Sequence, residues 1–272
     1  MAEIGGEYEL PTPSKFLRIH IVVPFVIYFM LFRLASRYVK ENLWLSFKGF
    51  KRYRLHNLSI CWLHAVIVGV ADFIWMSYYA GEIFENIVHY WSPIAAQIPL
   101  ISVAYFLHDA IDMLSYEWSK WTIELLLHHI VTCSALITPS MTDRWLMAAG
   151  WALMMEINSI FLHARTILQI CGLSKEFPNV FKAVIYTNIV TFVFCRIFTQ
   201  MYWVYWAIGN IYKYHICYQI VGYTGPIVFG IINGMLLVRL LASDGFLSAS
   251  MKKKYGMTRD QKEELQDQEK KE

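Results

Sequence analysis

Histidines and carboxylates crowd into one stretch of this chain. Residues 108–132 read HDAIDMLSYEWSKWTIELLLHHIVT. His108, Asp109 and Asp112 close one apolar run, and Glu124, His128 and His129 open the next. Ionisable groups in a bilayer cost roughly 2.5–3.5 kcal/mol each at mid-membrane on insertion scales, so such a concentration marks a working site. His108 and Asp112 lie four residues apart, Asp109 and Asp112 three, and Glu124 and His128 four, so each pair shares a helix face. The short SYEWSK link at 115–120 makes the two runs antiparallel neighbours, with the acids and the histidine pair at one depth.

Three chemistries fit these residues. In the first, His128 or His129 is a general base oriented by Asp109, Asp112 or Glu124. It deprotonates an amine or hydroxyl that attacks an acyl thioester, with acyl-CoA as co-substrate. In the second, histidines bind a metal. The chain has nine, but they are scattered, with one HH pair and no HxxxH or HxxHH box, so no metal and no resident cofactor are expected. In the third, the cluster is a satisfied polar network that holds helices together or cradles a lipid head group. Interhelical hydrogen bonds contribute about 0.6–2 kcal/mol each.

Further polar residues could join the cluster. His56 opens the second apolar run, His64 lies two turns deeper, and Asp72 follows eight residues on. The fifth run holds Glu156, Asn158, Ser159, His163 and Arg165. Arg196 lies inside the sixth and requires a carboxylate or a lipid phosphate, because an isolated buried cation is strongly disfavoured. His20, His89 and His215 are expected at interfaces, with no chemistry.

The elements that position these side chains are membrane helices. Of 272 residues, 57% are hydrophobic and 17% charged, against about 45–50% and 25% in soluble domains. The apolar residues come in long runs, at 16–38, 55–80, 93–113, 121–138, 144–171, 178–208 and 215–242. Each is near the length of about 20 residues that a helix needs to cross the hydrocarbon core, and continuous runs mean helices rather than a barrel. The expected fold is an all-α multi-pass bundle of about seven spans. Residues 1–47 hold an acidic N-terminal segment, the first span and a basic linker; 48–246 form the main domain; 247–272 form a charged tail. The first segment is read as an uncleaved span, since no basic n-region precedes it.

Basic residues set the orientation. Arg33 and Arg37 end the first run, Lys40, Lys48, Lys51, Arg52 and Arg54 lie between it and the second, and Lys252, Lys253 and Lys254 follow the last. Such clusters beside spans mark the cytoplasmic side. The N-terminus and the links at 81–90 and 138–143 are then outside. Asn57-Leu58-Ser59 matches a glycosylation sequon, but falls on the cytoplasmic side and is expected to be unused. Basic residues that flank spans form no nucleic-acid groove, so nucleic acid is not an expected partner. The five cysteines include no CxxC pair and form neither a disulfide framework nor a zinc site.

The stretches RLHNLSICWLHAVIVGV (54–70), YFLHDAIDML (105–114), ELLLHHIVT (124–132), MEINSIFLHAR (155–165) and RLLASDGF (239–246) resemble the TLC-domain family. That family includes the translocating-chain-associating membrane protein and the ceramide synthases. Within it the likeness is to the branch of TLC domain-containing proteins 1 and 2, regulators of plasma-membrane phospholipid composition. The resemblance implies a six-span core behind an N-terminal span. It also implies a protein that limits incorporation of polyunsaturated long-chain fatty acids into phospholipids and promotes membrane rigidity. Its partners would be membrane phospholipids or acyl lipids. The implied location is the plasma membrane, with the endoplasmic reticulum membrane as the alternative. The same resemblance carries two other readings, an acyl-CoA-dependent lipid acyltransferase and a non-catalytic lipid transporter or chaperone. In the ceramide synthases the paired histidines match His128 and His129. Their downstream HDxSD motif, however, aligns with Met155-Glu156-Ile157-Asn158-Ser159, so Glu156 and Ser159 replace its two aspartates. This argues against sphingoid-base N-acylation.

Overall fold

The computed structural model describes residues 12–116, 118, 120–251 and 254, except for some side chains near 120 and 250. Among the described residues, seven helices are long and apolar enough to cross a membrane. They are α1 (Ile19–Asn42), α2 (Gly49–Tyr78), α3 (Gln97–Tyr116), α4 (Lys120–Thr142), α5 (Leu146–Ile170), α6 (Pro178–Lys213) and α7 (Ile216–Ser243). Among the described residues there is no strand, as an all-α membrane bundle requires. The chain divides into two compact units, Met1–Tyr223 and Thr224–Glu272. The polar residues of interest before α7 all fall in the first.

Several helices run further than the apolar runs. α1 extends to Asn42 and α2 begins at Gly49, so the basic linker expected over 39–54 shrinks to 43–48. Lys40, Lys51, Arg52 and Arg54 are wound into helix ends, where long basic side chains reach water from an apolar stem. α4 likewise continues through Pro139 to Thr142 and absorbs most of the link expected at 138–143. Pro139 removes one i→i−4 hydrogen bond, the one to the Ala135 carbonyl, close to the end of the helix. Thr138 and Thr142 hydroxyls donate to Ser134 and Thr138 carbonyls at 2.9 and 2.8 Å.

α2 packs along α5 and against α3; α1 and α4 both pack on α3, and α6 packs on α5. Glycine permits the closest of these approaches. A Cβ on Gly69 would stand 3.0 Å from the backbone of Glu156 and Ile157. On Gly150 it would meet the Trp75 ring at 2.6 Å. Small residues let helices approach in lipid, where packing replaces the hydrophobic effect as the driving force.

The bundle has two distinct ends. At one, Lys15 and Arg18 bind Asp143 at 3.3 and 3.4 Å, and the Trp145 N–H donates to the Val88 carbonyl at 2.9 Å. Trp145 also packs edge-on against Trp206 and Tyr214, an interfacial aromatic layer. At the other end Tyr53 stacks on Tyr116 at 3.6 Å, beside Lys40, Lys51 and Arg52. Lysine and arginine are in excess at this second end, the pattern expected of a cytoplasmic face.

α6 departs from α-geometry over Val193–Phe198, where it winds as a π-helix. Such turns are rare and cluster at functional sites. Arg196 lies within it.

Candidate functional site

α3 and α4 place the expected residues on facing sides. His129 Nε2 lies 3.0 Å from Asp109 Oδ2, with both side chains 7% exposed. His129 Nδ1 contacts the Leu125 carbonyl one turn back, so both ring nitrogens are engaged. The second Asp109 oxygen accepts the Asn57 amide at 2.6 Å, which ties α2 to the pair. Asn57 is therefore an interior hydrogen-bond donor, a role its sequon context hides. The His129 ring meets Phe106 edge-on at 5.0 Å and His128 at 5.9 Å.

Asp112 belongs to a different group. Its Oδ1 accepts Lys40 Nζ at 2.6 Å, and its Oδ2 lies 3.9 Å from His56 Nδ1. His56 Nε2 contacts the hydroxyl and carbonyl oxygens of Ser36 at 3.0 and 3.1 Å. Of the carboxylates expected as alternatives to orient the histidines, Asp109 meets His129, while Asp112 faces α1 and α2. The reason is angular. Residues three apart on a helix are separated by about 60° around its axis, enough to face different neighbours. His108 is 2% exposed and stacks on Phe32 of α1. The Glu124 side chain lies outside the described residues.

A third group sits deeper. His64 Nε2 lies 3.1 Å from the Ser102 hydroxyl and its Nδ1 3.8 Å from Glu156 Oε2, and its ring stacks on Tyr105 at 3.9 Å. Arg196 donates through Nε to Asn158 Oδ1 at 2.6 Å and through a terminal nitrogen to the Ser159 hydroxyl at 2.9 Å. Asn158 in turn donates to Asn188 Oδ1 at 2.8 Å and Thr191 Oγ1 at 3.1 Å. Glu156 lies within electrostatic reach of Arg196. The aligned positions that replace the ceramide synthase aspartates are therefore ordered parts of an α5–α6 network.

His163 is half-buried on α5. It stands two turns beyond Glu156 on the same face, a spacing that could have singled it out. Ser36, Ser102 and Asn188 carried no such signal, because their partners are distant in the chain. Among the described residues no three His, Cys, Asp or Glu side chains could hold a metal ion.

The arrangement is three groups of buried imidazoles, carboxylates and amides, set from the basic end into the bundle. It can fix polar groups of a ligand or hold helices in register. It is set in a fold whose sequence matches the TLC domain over residues 54–243, and the chain belongs to the TLC-domain family. TLC domain-containing protein 2 of Danio rerio is 28% identical over 213 residues, covering 78% of this chain and 85% of that protein. TLC domain-containing protein 1 of Gallus gallus is 30% identical over 152 residues, 55% of this chain and 58% of that protein. TLC domain-containing protein 2 of Homo sapiens is 25% identical over 194 residues, 71% and 72% respectively. No solved structure matches.

Proposed function

We propose that this protein regulates the phospholipid composition and fluidity of the plasma membrane, limiting polyunsaturated acyl chains in phospholipids and so making the membrane more rigid. The observation that carries the reading is the buried His129–Asp109 pair, joined to Asn57 inside a membrane bundle. Ionisable groups inside a membrane bundle mark ligand or ion sites even where they pair with one another, and a phospholipid is the polar ligand that such a bundle meets. The family resemblance supplies the direction of the effect.

The same geometry favours a binding role over acyl transfer. A histidine with one nitrogen on a carboxylate and the other on a backbone carbonyl has no free ring nitrogen to act as a general base. An acyl-CoA-dependent transferase therefore needs a rearranged His129 or a base elsewhere. The test is lipid profiling of null cells rescued with wild type or with His128→Ala/His129→Ala. The variant should fail to restore the profile while reaching the membrane. Full rescue by a correctly localised variant overturns the reading. Acyl transfer by the purified protein selects the transferase instead, and lipid movement without bond formation selects a transporter or chaperone.

A further inference from the structure

At the cytoplasmic end, α1 and α2 border an open cavity of about 340 Å³ lined by Val39, Lys40, Leu43, Arg52, Tyr53 and His56. Two cations and an imidazole border it. His56 is 4% exposed, and its Nδ1 is buried with no hydrogen-bond partner. Lys40 keeps half its side chain exposed while it donates to the buried Asp112. Arg52 uses one donor on the Lys40 carbonyl at 3.0 Å, out of the five that a guanidinium carries. Besides Asp112, the nearby Glu41 is engaged by Arg37 at 2.8 Å.

We infer that this cavity binds the phosphate group of a membrane lipid. An ammonium, a guanidinium fork and an imidazole around one space match an anion with several acceptor oxygens better than a single carboxylate. Val39 and Leu43 give the cavity an apolar wall for the adjoining glycerol and chain. Its place at the ends of α1 and α2 is the depth of lipid head groups, where basic residues meet anionic lipids. Binding would draw Lys40 from Asp112 towards the phosphate and leave His56 as the neighbour of Asp112. α1 lies outside the matched TLC domain, so the inferred site joins that domain to the helix before it. The inference adds a ligand to the lipid reading without resting on His128 or His129. A variant that loses lipid-phosphate binding yet restores the lipid profile separates the two.

The test uses the full-length protein in nonionic detergent, with dioleoyl phosphatidic acid as probe, followed by native mass spectrometry and thermal shift. Diolein, which lacks the phosphate, and inorganic phosphate are the comparison ligands. Phosphatidic acid should bind, diolein should not, and inorganic phosphate should bind far more weakly. Lys40→Gln and Arg52→Gln should each weaken phosphatidic acid binding about tenfold, whereas Lys175→Gln/Lys182→Gln at the same end should not. Asp112→Asn, which frees Lys40, should strengthen it. If Lys40→Gln does not fold, Lys40→Gln/Asp112→Asn removes both charges and must still show the loss. Unchanged affinity in the Lys40 and Arg52 variants, or an equal loss in the Lys175/Lys182 variant, overturns the site. Inorganic phosphate binding as tightly as phosphatidic acid overturns the lipid as its source.

Discussion

His129 of α4 and Asp109 of α3 meet at 3.0 Å in the buried interior, and Asn57 of α2 holds the other carboxylate oxygen at 2.6 Å. One aspartate thus joins three helices. Asp109→Ala should cost roughly 1–3 kcal/mol, since it leaves two buried polar partners unsatisfied. The Asp109→Ala/His129→Ala double variant should cost less than the sum of the singles. Reversible unfolding in detergent measures the cycle, and strict additivity would refute the coupling.

Gly69→Ala should open the α2–α5 contact although alanine is the better helix former. The new methyl group would stand 3.0 Å from backbone atoms of Glu156 and Ile157, which cannot rotate away. A loss of roughly 1–3 kcal/mol is expected from such overpacking. Gly81→Ala is the control, because a Cβ there meets nothing within 4 Å. Equal melting temperatures for the two variants would refute the crowding.

Arg196→Lys should not be conservative. The guanidinium serves Asn158 and Ser159 through two different nitrogens, a fork that a single ammonium cannot reproduce. A destabilisation of roughly 1–3 kcal/mol is expected for the buried donor or acceptor left over. Arg239→Lys serves as the comparison, and equal thermal shifts for both would show that charge alone matters at 196.

The charge asymmetry predicts which end faces the cytoplasm. With exposed Cys217 replaced by alanine, a membrane-impermeant maleimide should label Asn86→Cys on intact cells and Lys48→Cys only after permeabilisation. Both native side chains are exposed. Labelling in the opposite order would invert the topology.

Much of this architecture was legible in the amino-acid sequence, for physical reasons particular to membranes. Unbroken apolar runs are long because lipid permits no exposed backbone, so seven spans could be read directly. Helix ends were less legible, because Lys40 and Arg52 look like linker residues yet wind into α1 and α2. The HDxxD acids and the histidine pair were visible as a group. Their division was not, because the partner of Asp112 is Lys40, 72 residues away. Asn57 was obscured by a local pattern that suggested glycosylation, and nothing local marked Asn188. The π-helical turns around Arg196 left no mark in the apolar pattern, since a single extra residue in a uniformly apolar run changes no periodicity.

That extra residue has a geometric effect on the rest of α6. A π-helical turn spends more residues per revolution than an α-helical one, so it acts as a phase shift between the two halves of the helix. Arg196 faces the polar interior, while Trp203 and Trp206, further along, pack against Trp151 and Trp145. Removing one residue from Val193–Phe198 would barely alter the length of α6. It would let the segment close as a regular α-helix with Arg196, Trp203 and Trp206 still in phase, because the π-turn is what absorbs the extra residue. The same deletion in a regular part of α6 would rotate everything beyond it by about 100°.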